Sequence, residues 1–289
     1  MFKSVIKYLA IVFGISWLIA LGIYLGGGLG SMAALGLYPY MLVPAFGAFI
    51  MRKFVTKEGF RNSGLRFGKP RYYLYAWLIL VGIIGLAYLL TVLFGLCNWD
   101  LGLSKLPEQI WQSLPEGFSP LLLFGIIFFA NTMAKYGEFL VRKRKLRRGW
   151  RSYLLPKLLP LGRLRALILH GAIWGLWHVP IILMGHNYPG YPLLGVFLMI
   201  IFYILARIIL GWLYFASSSV FVSAFAHGVM NNTASALILI VTLFNPTLGG
   251  ITGAIGLGIL FLTVLILYWT KALNKIDIKN LLVEKRRSE

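Results

Sequence analysis

Residues Leu193–Phe215 read LLGVFLMIIFYILARIILGWLYF, an apolar run broken by one charge, Arg207. As a helix this run rises roughly 35 Å, more than the ~30 Å hydrocarbon thickness of a bilayer. Its reading decides the fold class, because a segment this long and apolar has no place in a water-soluble domain. Seven further stretches answer the same description: Tyr8–Leu25, Ala33–Met51, Tyr72–Leu96, Pro120–Leu140, Leu164–Met184, Val220–Phe244 and Ile251–Trp269. The expected fold is all-α: a polytopic membrane helical bundle of about eight transmembrane helices, forming a single membrane-embedded domain over residues 1–289. Lys3 and Lys7 precede the first stretch as they would in a signal peptide. No small-residue cleavage site stands out there and more spans follow, so it is read as a retained helix.

Composition agrees. The chain is 59% hydrophobic and 12% charged, against about 45–50% and about 25% for soluble domains. An ordinary cytosolic enzyme and a disordered chain are excluded. Cys97 is the sole cysteine, which excludes an internal disulfide framework. The net charge of +20 would suggest nucleic acid as a partner in a soluble protein, so the placement of the charges matters.

The basic residues alternate between connections. Two precede the first span, Arg52–Arg71 holds seven, Arg142–Arg165 holds ten, and the tail from Lys271 holds six, together 25 of the 28. The intervening connections are poor in base: Cys97–Ser119 carries Lys105 against Asp100, Glu108 and Glu116, while Gly185–Pro192 and Asn245–Gly250 carry none. The positive-inside rule then places both termini in the cytoplasm. Orientation and contact with anionic lipid account for the basic segments, so no nucleic-acid partner is expected. The expected location is a plasma membrane of prokaryotic type.

Polar groups inside the spans are few, and each is costly in hydrocarbon. Glu138 is the only acid within a span; His170, His178 and His227 lie in spans five and seven. Trp174 and His178 are four apart, as are His227 and Asn231, so each pair shares one helix face. One carboxylate, two imidazoles and an amide from three helices form a minimal set for activating water. Glu138 would serve as general base, the histidines would orient water or hold a metal, and Asn231 would steady developing oxyanion charge. Plainer readings exist for each residue. An intramembrane histidine often only bonds a neighbouring helix, and Lys135, three residues before Glu138, could simply pair with it. Arg207 is read as snorkelling to the cytoplasmic interface, His170 as structural, and His186 in the outer loop is given no role.

A family resemblance rests on these residues. Gly149-Trp150-Arg151-Ser152-Tyr153-Leu154-Leu155-Pro156 resembles the Gly-Trp-Arg-Gly-Tyr-Leu-Leu-Pro stretch of the CAAX protease and bacteriocin-processing (CPBP, or Abi) intramembrane proteases. Their three motifs are Glu-Glu-x-x-x-Arg, Phe-x-x-x-His and His-x-x-x-Asn. Trp174…His178 is similar to the second, with Trp in place of Phe, and His227…Asn231 is similar to the third. The resemblance covers about residues 131–236. It implies an intramembrane endopeptidase that acts on a membrane-associated protein or peptide, prenylated in the CAAX-cleaving members. It implies Glu138 as the water-activating base, Arg151 as its orienting partner, and His178, His227 and Asn231 around the reacting carbonyl. A zinc ion on Glu138, His178 and His227 is the cofactor such a donor set would suit. The first motif departs from the pattern. One glutamate is present, and Arg151 follows it by 13 residues instead of five, after the insertion Arg142-Lys143-Arg144-Lys145-Leu146-Arg147-Arg148. That departure keeps a second reading open: a catalytically impaired membrane scaffold, or a bacteriocin self-immunity protein, on the same fold.

Overall fold

The computed structural model describes residues 2–59, 67–129, 153–243 and 245–273. Helix α1 (Phe2–Leu25) leads through two short 3-10 turns to α2 (Leu37–Ile50). Helix α3 (Pro70–Leu93) is followed by a short strand β1 (Cys97–Trp99), then α4 (Glu108–Gln112) and α5 (Pro120–Phe129). Next come α6 (Leu155–Leu158), α7 (Arg163–Trp177), α8 (Val179–Leu183) and α9 (Pro192–Ser217). The described chain closes with α10 (Val220–Leu239), β2 (Val241–Leu243) and α11 (Ala254–Trp269). Proline opens α3 and α9, where its missing N–H costs no hydrogen bond. Ser219 caps α10 by accepting from the N–H groups of Phe221 and Val222, at 3.1 and 3.2 Å.

Among the described residues, four helical stretches are long and apolar enough to cross a membrane: Lys3–Leu25, Met32–Val55, Pro70–Leu93 and Pro192–Ser217. An all-α membrane bundle is therefore the architecture, but four of the expected stretches differ. Leu164–Met184 is broken at His178, because Pro180 has no N–H to give to the carbonyl four residues back. Val220–Phe244 leaves the helix after Leu239, and its β-branched Val241 and Thr242 enter a strand. Ile251–Trp269 becomes helical only from Ala254, giving 16 residues. Pro120–Leu140 begins as α5, and the rest of it, with Asn131, Lys135 and Glu138, lies outside the described residues.

Strands β1 and β2 pair antiparallel, with Cys97 opposite Leu243, Asn98 opposite Thr242 and Trp99 opposite Val241. Lys105 fastens this ribbon by donating from Nζ to the carbonyls of Ile238, at 2.8 Å, and Val241. A cation there also satisfies helix-end carbonyls of α10. At their opposite ends α3 and α10 are joined by stacked rings of Phe67 and Phe221, 5.0 Å apart. The two helices therefore run parallel, as the alternation of charge requires. Basic connections gather at that starting end: Lys157 pairs with Glu58 at 3.4 Å, and Arg163 donates to the carbonyl of Leu273, just past α11.

The core is tightest between α7 and α9. A Cβ on Gly175 would lie 2.7 Å from the Ile200 Cα, one on Gly171 would meet the backbone at Ile204, and one on Gly211 would run into Leu167. Without a solvent effect to press helices together in lipid, this close backbone approach supplies the packing attraction. Helix α1 joins through the Trp177 Nε1–H, which donates to Ser16 Oγ at 2.8 Å, and α2 through the Tyr40 hydroxyl, which donates to the Trp177 carbonyl.

Gly175→Ala is expected to destabilise the protein by about 1–3 kcal/mol through overpacking. Gly82→Ala on α3 meets nothing within 4 Å and is expected to be neutral or to stabilise by up to about 1 kcal/mol. Thermal unfolding of both variants in detergent checks the contrast.

Candidate functional site

The α7–α9 contact holds one end of a polar cluster. Where α7 ends, the His178 amide bonds the carbonyl of Gly175 at 3.0 Å, one residue short of the regular helical partner. The Trp174 carbonyl is thereby left for the His178 side chain, and His178 Nδ1 lies 2.9 Å from it. The other ring nitrogen, Nε2, is 2.9 Å from the Tyr203 hydroxyl on α9. The imidazole and phenol rings stack with centroids 4.4 Å apart and planes 21° from parallel. His178 is 4% exposed.

Trp174 is the hub. Its ring lies 4.2 Å from that of Tyr203 and meets the His227 ring edge-on at 5.1 Å, so one indole spans α7, α9 and α10. On α10, one turn separates His227 from Asn231, and the Asn231 amide approaches His227 Nε2 at 3.4 Å, near the limit of a hydrogen bond. The neighbouring Asn232 donates to the Phe128 carbonyl of α5 at 3.4 Å. Trp174, His178, Tyr203, His227 and Asn231 all line one cavity of about 680 Å³.

Of the five candidate residues, the fold brings His178, His227 and Asn231 to this cavity, while Glu138 and Arg151 lie outside the described residues. Arg207 does not snorkel: it is 1% exposed and lines the same cavity one turn along α9 from Tyr203. His170 is buried in the wall and His186 reaches the cavity from the loop between α8 and α9, where burial pushes its imidazole below the ordinary histidine pKa. Tyr203 was not legible as a site residue. Its signal is a phenol in mid-span, where a hydroxyl needs a buried partner, away from the interfacial belts that tyrosine favours.

A metal ion takes a lone pair from each histidine; the His178 Nδ1 contact with the Trp174 carbonyl is compatible with ligation, but Nε2, the nitrogen left to bind, faces the Tyr203 hydroxyl at 2.9 Å. Among the described residues, no three His, Cys, Asp or Glu side chains gather as a ligand set. The described groups do not fit zinc at His178 in this arrangement.

The long apolar helices indicate an integral membrane protein. Residues 149–233 match the family model of the Rce1-like type II CAAX prenyl endopeptidases. The match begins at Gly149 and ends at Thr233, so it takes in Arg151, Trp174, His178, His227 and Asn231 and leaves out Glu138. The resemblance drawn from the motifs is borne out by that match over residues 149–233. No match was found among curated proteins.

Trp174→Ala is expected to cost about 3–5 kcal/mol, because it removes the ring that braces Tyr203 and His227. Trp174→Phe, which restores the residue type of the family motif, is expected to stay within about 1.5 kcal/mol of the parent. Thermal unfolding followed by intrinsic fluorescence distinguishes them.

Proposed function

We propose that the protein is an intramembrane endopeptidase of the CPBP type. The reading is carried by one observation: His178, His227 and Asn231, spaced as in the family's second and third motifs, line one cavity, and all three fall within the segment that matches the CAAX endopeptidases. The substrate is a peptide bond in a membrane-associated protein or peptide, with a prenylated chain as the family-typical case. The chain forms one membrane domain of eight passes with both ends in the cytoplasm.

Glu138 takes a proton from water as the water oxygen attacks the carbonyl carbon, and Arg151 orients the carboxylate. Negative charge then develops on the former carbonyl oxygen. Asn231 Nδ2–H and the N–H of the His227 imidazole stabilise it, in a cavity whose apolar walls strengthen each hydrogen bond. Collapse breaks the C–N bond, and the proton held by Glu138 passes to the leaving amine. His178 acts from behind this pair, holding Tyr203 and the α7–α9 corner in place.

With the purified protein in detergent and a library of prenylated and unprenylated peptides, Glu138→Ala and His227→Ala are each expected to lower kcat by at least about 100-fold. Asn231→Ala is expected to cost about 100- to 1000-fold. Cleavage undiminished in the Glu138 and His227 variants rejects the site. A parent protein that cleaves nothing, but gains cleavage when residues 139–146 are deleted, supports the impaired-scaffold reading.

A further inference from the structure

Tyr203 is bonded to a histidine whose protonation its neighbours dictate. A backbone carbonyl has no proton to give, so the 2.9 Å contact between His178 Nδ1 and the Trp174 carbonyl requires a proton on Nδ1. The opposite neutral tautomer would set two lone pairs against each other at that distance. The doubly protonated ring would place a cation at a site 4% exposed. Such a charge is costly to bury. What remains is the neutral ring with Nδ1–H and a bare Nε2, and among the described residues the group placed to supply a proton to Nε2 is the Tyr203 hydroxyl, 2.9 Å away. Trp174 packs against the same phenol, with ring centroids 4.2 Å apart, and helps hold it beside His178.

The phenol's single proton is thus spent on His178, its oxygen keeps lone pairs, and Tyr203 lines the cavity. That oxygen can accept from a water molecule or from a peptide N–H; it cannot donate. We propose that Tyr203 is a positioning residue: its hydroxyl locks His178 as the neutral Nδ1–H tautomer, and His178 influences the cavity through the Tyr203 oxygen rather than as a metal ligand. The proposal deepens the endopeptidase reading by assigning how the second-motif histidine works. Its core, the tautomer and its lock, stands apart from catalysis and is tested apart from it.

Full-length protein labelled with ¹⁵N at histidine, in lipid nanodiscs, has four imidazoles to observe. The His178 resonances are those that vanish in His178→Gln. If that variant does not fold, they are the pair common to the His170→Gln, His186→Gln and His227→Gln samples. The expected spectrum has a protonated Nδ1 and an unprotonated Nε2 shifted as a hydrogen-bond acceptor. In Tyr203→Phe the Nε2 signal is expected to move to the position of a lone pair without a donor, while Nδ1 stays protonated. Zinc ions added alone to the parent protein are expected to leave both signals unmoved. A protonated Nε2 in the parent, no change in Tyr203→Phe, or a zinc-induced shift of Nε2 overturns the proposal, whether or not any peptide is cleaved. If cleavage is measurable, Tyr203→Phe is expected to lower kcat by about 100-fold with KM changed less than about threefold. Tyr203→Phe with parental kcat and a displaced Nε2 signal leaves the lock in place but overturns its role in positioning.

Discussion

The contact of α7 with α9 is the constraint on which the site depends. Gly171 and Gly175 let the two backbones meet with no side chain between them, and Gly211 makes room for Leu167 further along. Small residues four apart are the means by which helices in lipid gain attraction from packing alone. Closeness here has a second result. It brings the end of α7 within hydrogen-bonding reach of a phenol on α9, so that His178 and Tyr203 can face each other at 2.9 Å. Larger residues at the glycine positions would separate the helices by more than that bond can stretch.

The break at His178 complements the close approach. An unbroken helix through Leu164–Met184 would have satisfied the Trp174 carbonyl with the His178 amide. Pro180 makes that continuation impossible, the amide shifts to Gly175, and the carbonyl becomes the partner that sets the imidazole's protonation. One proline therefore converts backbone geometry into the chemical state of a buried side chain.

Much of this was legible in the residues. Long apolar runs such as Leu193–Phe215 announce membrane helices because hydrocarbon tolerates few other solutions, and the four-residue spacings of Trp174 with His178 and His227 with Asn231 placed both pairs on shared faces. Less legible was whatever depends on neighbours distant in sequence. The stretch Val220–Phe244 is apolar throughout its end, yet Val241–Leu243 pairs with Cys97–Trp99, a partner more than 140 residues away that hydropathy does not register. Arg207 looked able to reach water along its own helix, but the packing around it encloses it. The Gly171–Gly175 spacing was present all along as a sign of helix contact; what it could not name was the partner, since that is decided by the shape of α9. Glu138 and Arg151 remain placed by motif alone.

The fastening of α3 to α10 at both ends has a mechanical consequence. Phe67 and Phe221 join the two starts, while the β-ribbon and Lys105 join the two finishes. Parallel rods pinned in this way cannot slide past one another without tearing a pin. Any displacement that widens the gap between His227 and Trp174 must carry α3 along with α10, so the pair moves as one stiff lever whose pivots are the aromatic stack and the ribbon.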